Sequence, residues 1–151
     1  MAHSLHYCKV AHQETYKGYR IIVTKFIGAY GGHPCGYVGI PKSHPFAQRL
    51  DCAYEWPIEC HGGLTYDGRQ RRLDFFDEDE FAAYCWVGWD YAHYGDYLDY
   101  TSPVPMVGQG KVHPVGEVLA EARQVVEQFI RFEQQEHPKA GCCRKLRFRS
   151  M

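Results

Sequence analysis

The motif best suited to chemistry is the D-x-x-H-x-x-D spacing of Asp90, His93 and Asp96. On an α-helix these side chains fall within roughly a third of a turn of arc, and a tight loop would also bring them together. Carboxylates and neutral imidazoles are donors that Zn²⁺ and Mn²⁺ accept, and an earlier segment supplies a further imidazole. The sequence therefore predicts a divalent metal site at His61, Asp90, His93 and Asp96.

Each residue of this motif also has an ordinary structural interpretation. Asp90 suits a helix cap, His93 a satisfied interior histidine, and Asp96 a surface carboxylate beside a turn glycine. The spacing is less specific than H-E-x-x-H or a paired C-x-x-C, and neither of those motifs occurs in the chain. Both interpretations stay open at this point.

Several cationic and aromatic side chains could bind a nucleotide. Arginine grips phosphate oxygens with two parallel hydrogen bonds, and aromatic rings stack on bases. The same arginines would also suit an exposed hairpin edge, and the rings a packed core or interface. The candidate ligand-binding residues are Arg69, Arg71, Arg72, Trp89 and Tyr94.

Glu59 is the candidate general base, because residues two apart on a strand share a face and Glu59 would then lie beside His61. Cys60 would point to the other face, so a cysteine nucleophile activated by His61 is disfavoured. The chain has no Walker loop, no G-x-G-x-x-G that opens a helix and no G-x-S-x-G. These absences disfavour the commonest nucleotide-binding and serine hydrolase sites.

The elements that must position these residues follow from the spacing of apolar residues. From Val115 apolar residues recur at steps of three and four, which predicts one long amphipathic helix that ends by Pro138. The acidic run at residues 77–81 predicts a short helix. Runs of β-branched and aromatic residues predict strands at residues 19–26, 37–40, 59–66 and 84–89.

Strands followed by one long helix predict a single α+β domain, in which a mainly antiparallel sheet packs against the C-terminal amphipathic helix. We expect this domain to span residues 18–138. A polar N-terminal arm without periodicity (1–17) would precede it, and a basic tail (139–151) would follow. Phe132 lies off the main apolar stripe of the helix, which leaves room for a homo-oligomer.

The composition excludes several functional classes. The 17 Lys and Arg residues balance 18 Asp and Glu residues, so the chain carries no strong signal for binding nucleic acid. No apolar run reaches the roughly 20 residues that cross a bilayer, and the N-terminus lacks the apolar centre of a secretory signal. We therefore expect a cytoplasmic protein without membrane contact.

Three stretches carry a resemblance to a known group of proteins: GYVGIPKSHP (36–45), HGGLTYDG (61–68) and CWVGWDYAHYGD (85–96). Over residues 18–132 the chain resembles small proteins of bacteriophages and prophages, in which H-G-G-L-T-[FY]-x-G precedes W-x-G-[FW]-D-x-A-H-x-G-D. The resemblance implies a viral protein in the cytoplasm of a host cell, with one shared site. It also implies antagonism of host defence.

Two hypotheses of function follow from the motif, the arginines and this resemblance. The first is a small metal-dependent hydrolase that acts on a phosphodiester or a nucleotide signal of host defence, with Zn²⁺ or Mn²⁺ lowering the pKa of a bound water. The alternative is a non-catalytic counter-defence protein that sequesters a nucleotide ligand or inhibits a host protein.

Overall fold

A computed structural model of the chain describes residues 7–28, 31–70, 72–91 and 113–135. Its strands are β1 (Tyr7–Tyr16), β2 (Tyr19–Gly28), β3 (Gly31–Pro41), β4 (Tyr66–Asp67) and β5 (Tyr84–Asp90). They form one sheet in the order β1-β2-β3-β5-β4, and every neighbouring pair is antiparallel. The long helix α2 (Val115–Gln135) packs against one face. The predicted α+β fold is confirmed.

The N-terminal region differs from the expected irregular arm, because residues 7–16 form β1, an edge strand paired with β2. Lys17 and Gly18 close this hairpin with positive φ angles of 53° and 87°, as in a type I′ turn. The register shifts between Val10 and His12. Such a bulge breaks the two-residue alternation that identifies a strand in a sequence.

The chain between β3 and β5 is mostly irregular. A 3₁₀ segment (Pro45–Glu55) follows β3, and His44 caps its start. The strand predicted at residues 59–66 is wrong, because of these residues only Tyr66 belongs to a strand, the two-residue β4 that pairs with β5. The short acidic helix is confirmed as α1 (Glu78–Ala83), with the Asp77 carboxylate capping its first turn.

The larger core lies between α2 and the face of the sheet beneath it, which we call the helix face. The apolar stripe of α2 predicted from the sequence supplies one side of this core, and the 3₁₀ segment closes one end. No helix in the described part of the chain combines the length and the apolar content needed to cross a membrane. The sheet residues of this core are Tyr19, Ile21, Val23, Val38, Ile40, Val87 and Trp89.

The other side of the sheet, the opposite face, is covered by residues 73–81 rather than by a long helix. Its core is aromatic, with Phe76 against Trp86 at a centroid distance of 4.6 Å and against Phe81 at 5.0 Å. The Trp86 indole N–H donates to the Phe81 carbonyl at 3.2 Å. Side chains of β5 therefore alternate between two separate cores.

Candidate functional site

The H-G-G sequence after Cys60 forms a tight turn that presents His61. The Gly63 N–H donates to the Cys60 carbonyl at 2.9 Å, and Gly62 and Gly63 have φ angles of 72° and 81°. Residues with a Cβ rarely adopt this left-handed conformation, so the two glycines let the chain turn here. A turn, rather than a strand, sets the direction of the His61 side chain.

Two polar side chains of α2 hold this turn against the helix. The Glu121 carboxylate accepts from the His61 backbone N–H at 2.7 Å. Two helical turns later, the Gln128 amide donates to the Glu59 carbonyl at 2.8 Å and accepts from the Glu59 N–H at 2.7 Å. These bonds satisfy backbone groups that have no partner in the sheet.

Three rings meet where the turn, the end of β5 and the start of α2 converge, and we call His61, Tyr91 and His113 the histidine–tyrosine cluster. The His61 ring stacks on Tyr91 with centroids 4.6 Å apart and planes 14° apart. The His113 centroid lies 4.8 Å from that of His61 and 4.7 Å from that of Tyr91. Two imidazoles from distant parts of the chain are thus neighbours, with His113 buried and His61 half-buried.

A carboxylate orients the His113 ring. Its Nδ1 lies 2.9 Å from Oε2 of Glu117, four residues later in the first turn of α2. Because a carboxylate only accepts hydrogen bonds, Nδ1 carries the hydrogen, and the lone pair of the neutral ring is on Nε2. A histidine fixed in this tautomer suits proton transfer or metal binding through Nε2.

Tyr91 forms the wall of the cluster. Its hydroxyl donates to Glu121 and accepts from the Trp89 indole N–H at 3.0 Å. Burial, followed by the hydrogen bond to Glu121, raises the pKa of Tyr91 well above its ordinary value. Tyr91 therefore keeps its proton at neutral pH and acts as a hydrogen-bond donor rather than as a base.

Cys60 precedes His61 in the chain, but its thiol is not activated as a nucleophile. Burial raises the pKa of the Cys60 thiol to about 12, and the charge of Glu121 adds to this effect. Almost none of the thiol is ionised at neutral pH, and the thiolate is the nucleophilic form. The structure thus agrees with the sequence in disfavouring a cysteine nucleophile at this turn.

Asp90, one of the predicted metal ligands, lies on the opposite face of the sheet. Successive side chains of a strand alternate, so Asp90 points away from Trp89 and Tyr91. Cys35 lies directly opposite Asp90 on β3, and the pKa of Cys35 is raised to about 12 by burial and then by the Asp90 charge. The Thr65 hydroxyl donates to the Asp90 carboxylate at 3.3 Å. Asp90 and the His61 ring are therefore separated by the sheet.

The remaining predicted ligands, His93 and Asp96, lie outside the described residues, as do the ligand-binding candidates Arg71 and Tyr94. Within the part of the chain that the structure describes, no group of three or more His, Cys, Asp or Glu side chains is arranged to hold a metal ion. The metal site stays a prediction.

Arg69 and Arg72 lie far from the histidine–tyrosine cluster. Gly68, next to Arg69, donates to the Trp86 carbonyl near the start of β5, whereas Tyr91 follows the end of that strand. Five residues of strand separate Trp86 from Tyr91, a distance of about 17 Å. The Arg72 guanidinium donates to a carbonyl of its own loop at 3.0 Å. Neither arginine is placed to neutralise charge beside His61.

Trp89 is a core residue, whereas Glu59 lies at the surface. Trp89 is only 1% exposed and its ring lies over Gly36 of β3, so the predicted stacking of Trp89 on a ligand is wrong. Glu59 lines an open groove of about 830 Å³ with Arg131, beside the second half of α2. The role of Glu59 as a general base stays a prediction.

Three residues of the site, His113, Glu117 and Glu121, are not among those predicted from the sequence. They recur every fourth residue at the start of α2. Side chains spaced by four residues line up on one side of a helix. A histidine before Pro114, followed by two glutamates at this spacing, is a signal that could have identified them. Their meeting with His61 depends on the turn at residues 60–63, which the sequence was interpreted to exclude.

Comparison with known proteins found no match: no family model matches the chain, and neither does any curated protein or any solved structure.

Proposed function

We propose that the protein is a small hydrolase of phosphodiester or nucleotide substrates, and that the histidine–tyrosine cluster is its reacting centre. The observation that carries the proposal is the contact of His61 with His113, whose Nδ1 is 2.9 Å from Glu117. Neighbouring imidazoles, one of them oriented by a carboxylate, are groups that move protons or bind metal near neutral pH.

A divalent ion, Zn²⁺ or Mn²⁺, is part of this proposal. Two imidazoles that share one tetrahedral ion have ring centres about 5 Å apart, and the His61 and His113 centroids are 4.8 Å apart. Glu117 would be the carboxylate that orients a ligating histidine from outside. A third ligand would come from the predicted pair His93 and Asp96. The ion would supply a bound water that ionises near neutral pH.

The residues of the cluster then have separate tasks. Nε2 of His113 is the nitrogen that binds the ion or accepts a proton, because Glu117 holds the hydrogen on Nδ1. His61 is half-buried and lies on the accessible side, so it is the imidazole that a substrate would meet first. Tyr91 and Glu121 fix the position of His61 through ring stacking and the backbone bond.

The proposal is tested with protein purified without chelator and assayed on bis(4-nitrophenyl) phosphate and a panel of cyclic dinucleotides. We expect bound Zn²⁺ or Mn²⁺ by mass spectrometry and product formation that stops after dialysis against EDTA. His113→Gln should lower the rate by about 100-fold or more, and Glu117→Gln by about tenfold to 100-fold. His12→Gln, a change on the exposed part of β1, is the matched control.

Two results would contradict the proposal in different ways. Folded protein that leaves every substrate intact would refute the hydrolase. Activity that survives removal of metal but is lost in His113→Gln would refute the ion and leave a proton-transfer centre. The phage setting, the host cytoplasm and a target in host defence belong to the same proposal, since they rest on the resemblance carried by residues 36–45, 61–68 and 85–96.

A further inference from the structure

A second pocket lies at the start of β5, at the end of that strand distant from the histidine–tyrosine cluster. It has a volume of about 370 Å³, which is within the range of small-molecule sites. Its walls are mainly apolar and include the rings of Phe81, Tyr84 and Trp86. Phe81 and Tyr84 are half-buried, so their rings offer surface to a flat ligand.

The charged groups at this pocket are both cationic. Lys42 and Arg69 line it, and none of its lining residues in the described chain is acidic. The Lys42 charge reaches the pocket interior, because it lowers the pKa of Cys85 against the larger effect of burial. Arg69 is half exposed, its Nε lies 3.4 Å from Asp67 and its Nη2 donates to the Asp51 carbonyl at 3.5 Å, so Nη1 is the guanidinium nitrogen that a ligand would meet. The site is complementary to an anion.

Gly68 keeps the pocket open. A Cβ at this position would lie 3.3 Å from the tip of the Phe81 ring and 3.6 Å from the Trp86 Cβ. The backbone of Gly68 does not need positive φ, since only Gly18, Gly62 and Gly63 have it among the described glycines. The missing side chain therefore provides space rather than a special conformation, and an added methyl would fill that space.

We propose that this pocket binds a small aromatic anion, a planar ring that carries a phosphate or carboxylate, as a site separate from the histidine–tyrosine cluster. The ring would lie against Phe81 and Tyr84, and the anionic group would bind Lys42 and Arg69. A nucleoside monophosphate combines both features. The proposal is independent of the hydrolase, because the two sites are about 17 Å apart along β5.

AMP is the probe, titrated into the full chain by calorimetry, with adenosine and inorganic phosphate as the two halves of the ligand. We expect AMP to bind more tightly than either half. Lys42→Gln and Arg69→Gln should each weaken AMP binding by about tenfold, the loss of one charge-assisted hydrogen bond. Gly68→Ala should also reduce affinity, because its methyl occupies the space beside Phe81.

Two control variants locate the site. Lys9→Gln removes a lysine from the far edge of the sheet and should leave AMP affinity unchanged, as should His113→Gln. Thermal melts show whether each variant is folded, and the exposed side chains of Lys42 and Arg69 make folding defects there unexpected. The proposal is overturned if AMP does not bind at millimolar concentration, or if binding is lost in His113→Gln and kept in Lys42→Gln and Arg69→Gln.

Discussion

The helix face of the sheet is covered by α2, a regular element with five buried residues spaced for a helix. The opposite face is covered by residues 73–81, an irregular loop that continues into the first turn of the short helix α1. On the helix face the buried side chains are mostly aliphatic, with polar groups confined to the margins. On the opposite face aromatic rings fill the space. Because α2 is a regular helix, its carboxylates lie in a row along the edge of the helix face. The candidate site lies at this edge.

This difference shows how one strand can serve two cores. Trp89 of β5 lies over Gly36 of β3 on the helix face, and Tyr37 of β3 lies over Gly88 of β5 on the opposite face. Each large ring thus lies over the glycine that is its cross-strand partner. The two glycines are adjacent to the two rings in sequence, so a single cross-strand contact region fixes the packing of both faces.

Substitution of these glycines should have the largest effects on stability. A Cβ at Gly88 would lie 2.5 Å from the Tyr37 ring and 2.9 Å from the Gly36 carbonyl oxygen, and a Cβ at Gly36 would lie 2.6 Å from Trp89. Because the carbonyl cannot move away without distorting the sheet, we expect Gly88→Ala to cost about 3 kcal/mol and Gly36→Ala about 2 kcal/mol. Urea denaturation measures both.

Gly116→Ala is the matched control for these two variants. No atom lies within 4 Å of a Cβ built at Gly116, which is exposed near the start of α2. Alanine is a better helix former than glycine, so this variant should gain up to about 1 kcal/mol. If Gly88→Ala and Gly36→Ala were as stable as the wild type, the packing of the rings over the glycines would be incorrect.

His44 gives a second test, at the border between α2 and the 3₁₀ segment on the helix face. It is fully buried, its Nδ1 accepts from the Phe46 N–H at 3.0 Å, and its Nε2 donates to the Phe129 carbonyl at 2.7 Å. His44→Leu would leave the Phe46 N–H without this partner in a buried place and would remove the bond to the Phe129 carbonyl. We expect a loss of about 2 kcal/mol in unfolding free energy.

The same histidine predicts an acid-sensitive stability. Burial lowers the pKa of His44, although the Phe129 carbonyl and the Glu133 charge oppose this effect. Below about pH 6.5 His44 in the unfolded chain binds a proton that it does not bind in the folded chain. The free energy of unfolding therefore has its full value above that pH and falls as the pH decreases. Denaturation midpoints of the wild type should fall between pH 7 and pH 5 more steeply than those of His44→Leu. Parallel curves would contradict this assignment.

The fold was largely predictable where one period governs a long segment. The helix from Val115 and the strands after Gly18 and Tyr84 follow from spacing and residue type, because packing on one face imposes that spacing. The strand β1 was not predicted because its bulge interrupts the alternation. The packing of residues 72–77 on the opposite face was not predicted, because this segment consists of turns and its apolar residues show no helical or strand spacing.

The candidate site was predictable only in part. His61 was identified as a functional candidate, but its partners were sought in the segment after Asp90 rather than at the start of α2. The difference has a local cause, since the residue types at 59–66 predict a strand, whereas Gly62 and Gly63 have positive φ and form a turn. The contact between the His61 turn and Glu121, 60 residues later in the chain, depends on tertiary packing, which the periodicity of a single sequence does not encode.

Tyr91 on the helix face and Tyr37 on the opposite face differ in the stability that their hydroxyl groups contribute. The Tyr91 hydroxyl bonds to Glu121 and to the Trp89 indole, whereas the pKa of Tyr37 is raised mainly by burial. Tyr91→Phe should therefore cost about 1.5 kcal/mol and Tyr37→Phe about 0.5 kcal/mol. Equal losses in urea denaturation would show that the carboxylate margin contributes no additional stability.

The smallest effect is expected at the ion pair that joins β1 to α2 on the helix face. Arg123 donates from Nε and Nη2 to the two carboxylate oxygens of Glu14, each at 2.8 Å, and lowers the pKa of Glu14 to about 2. A lowered pKa in the folded chain contributes stability above about pH 4.5 that is lost as the pH falls through 2. Because Arg123 is well exposed, water and salt screen this pair. Glu14→Gln should thus lower the denaturation midpoint slightly at pH 7, and the difference should vanish at pH 2 or in 1 M salt. A salt-independent loss would instead indicate that Glu14 acts through packing.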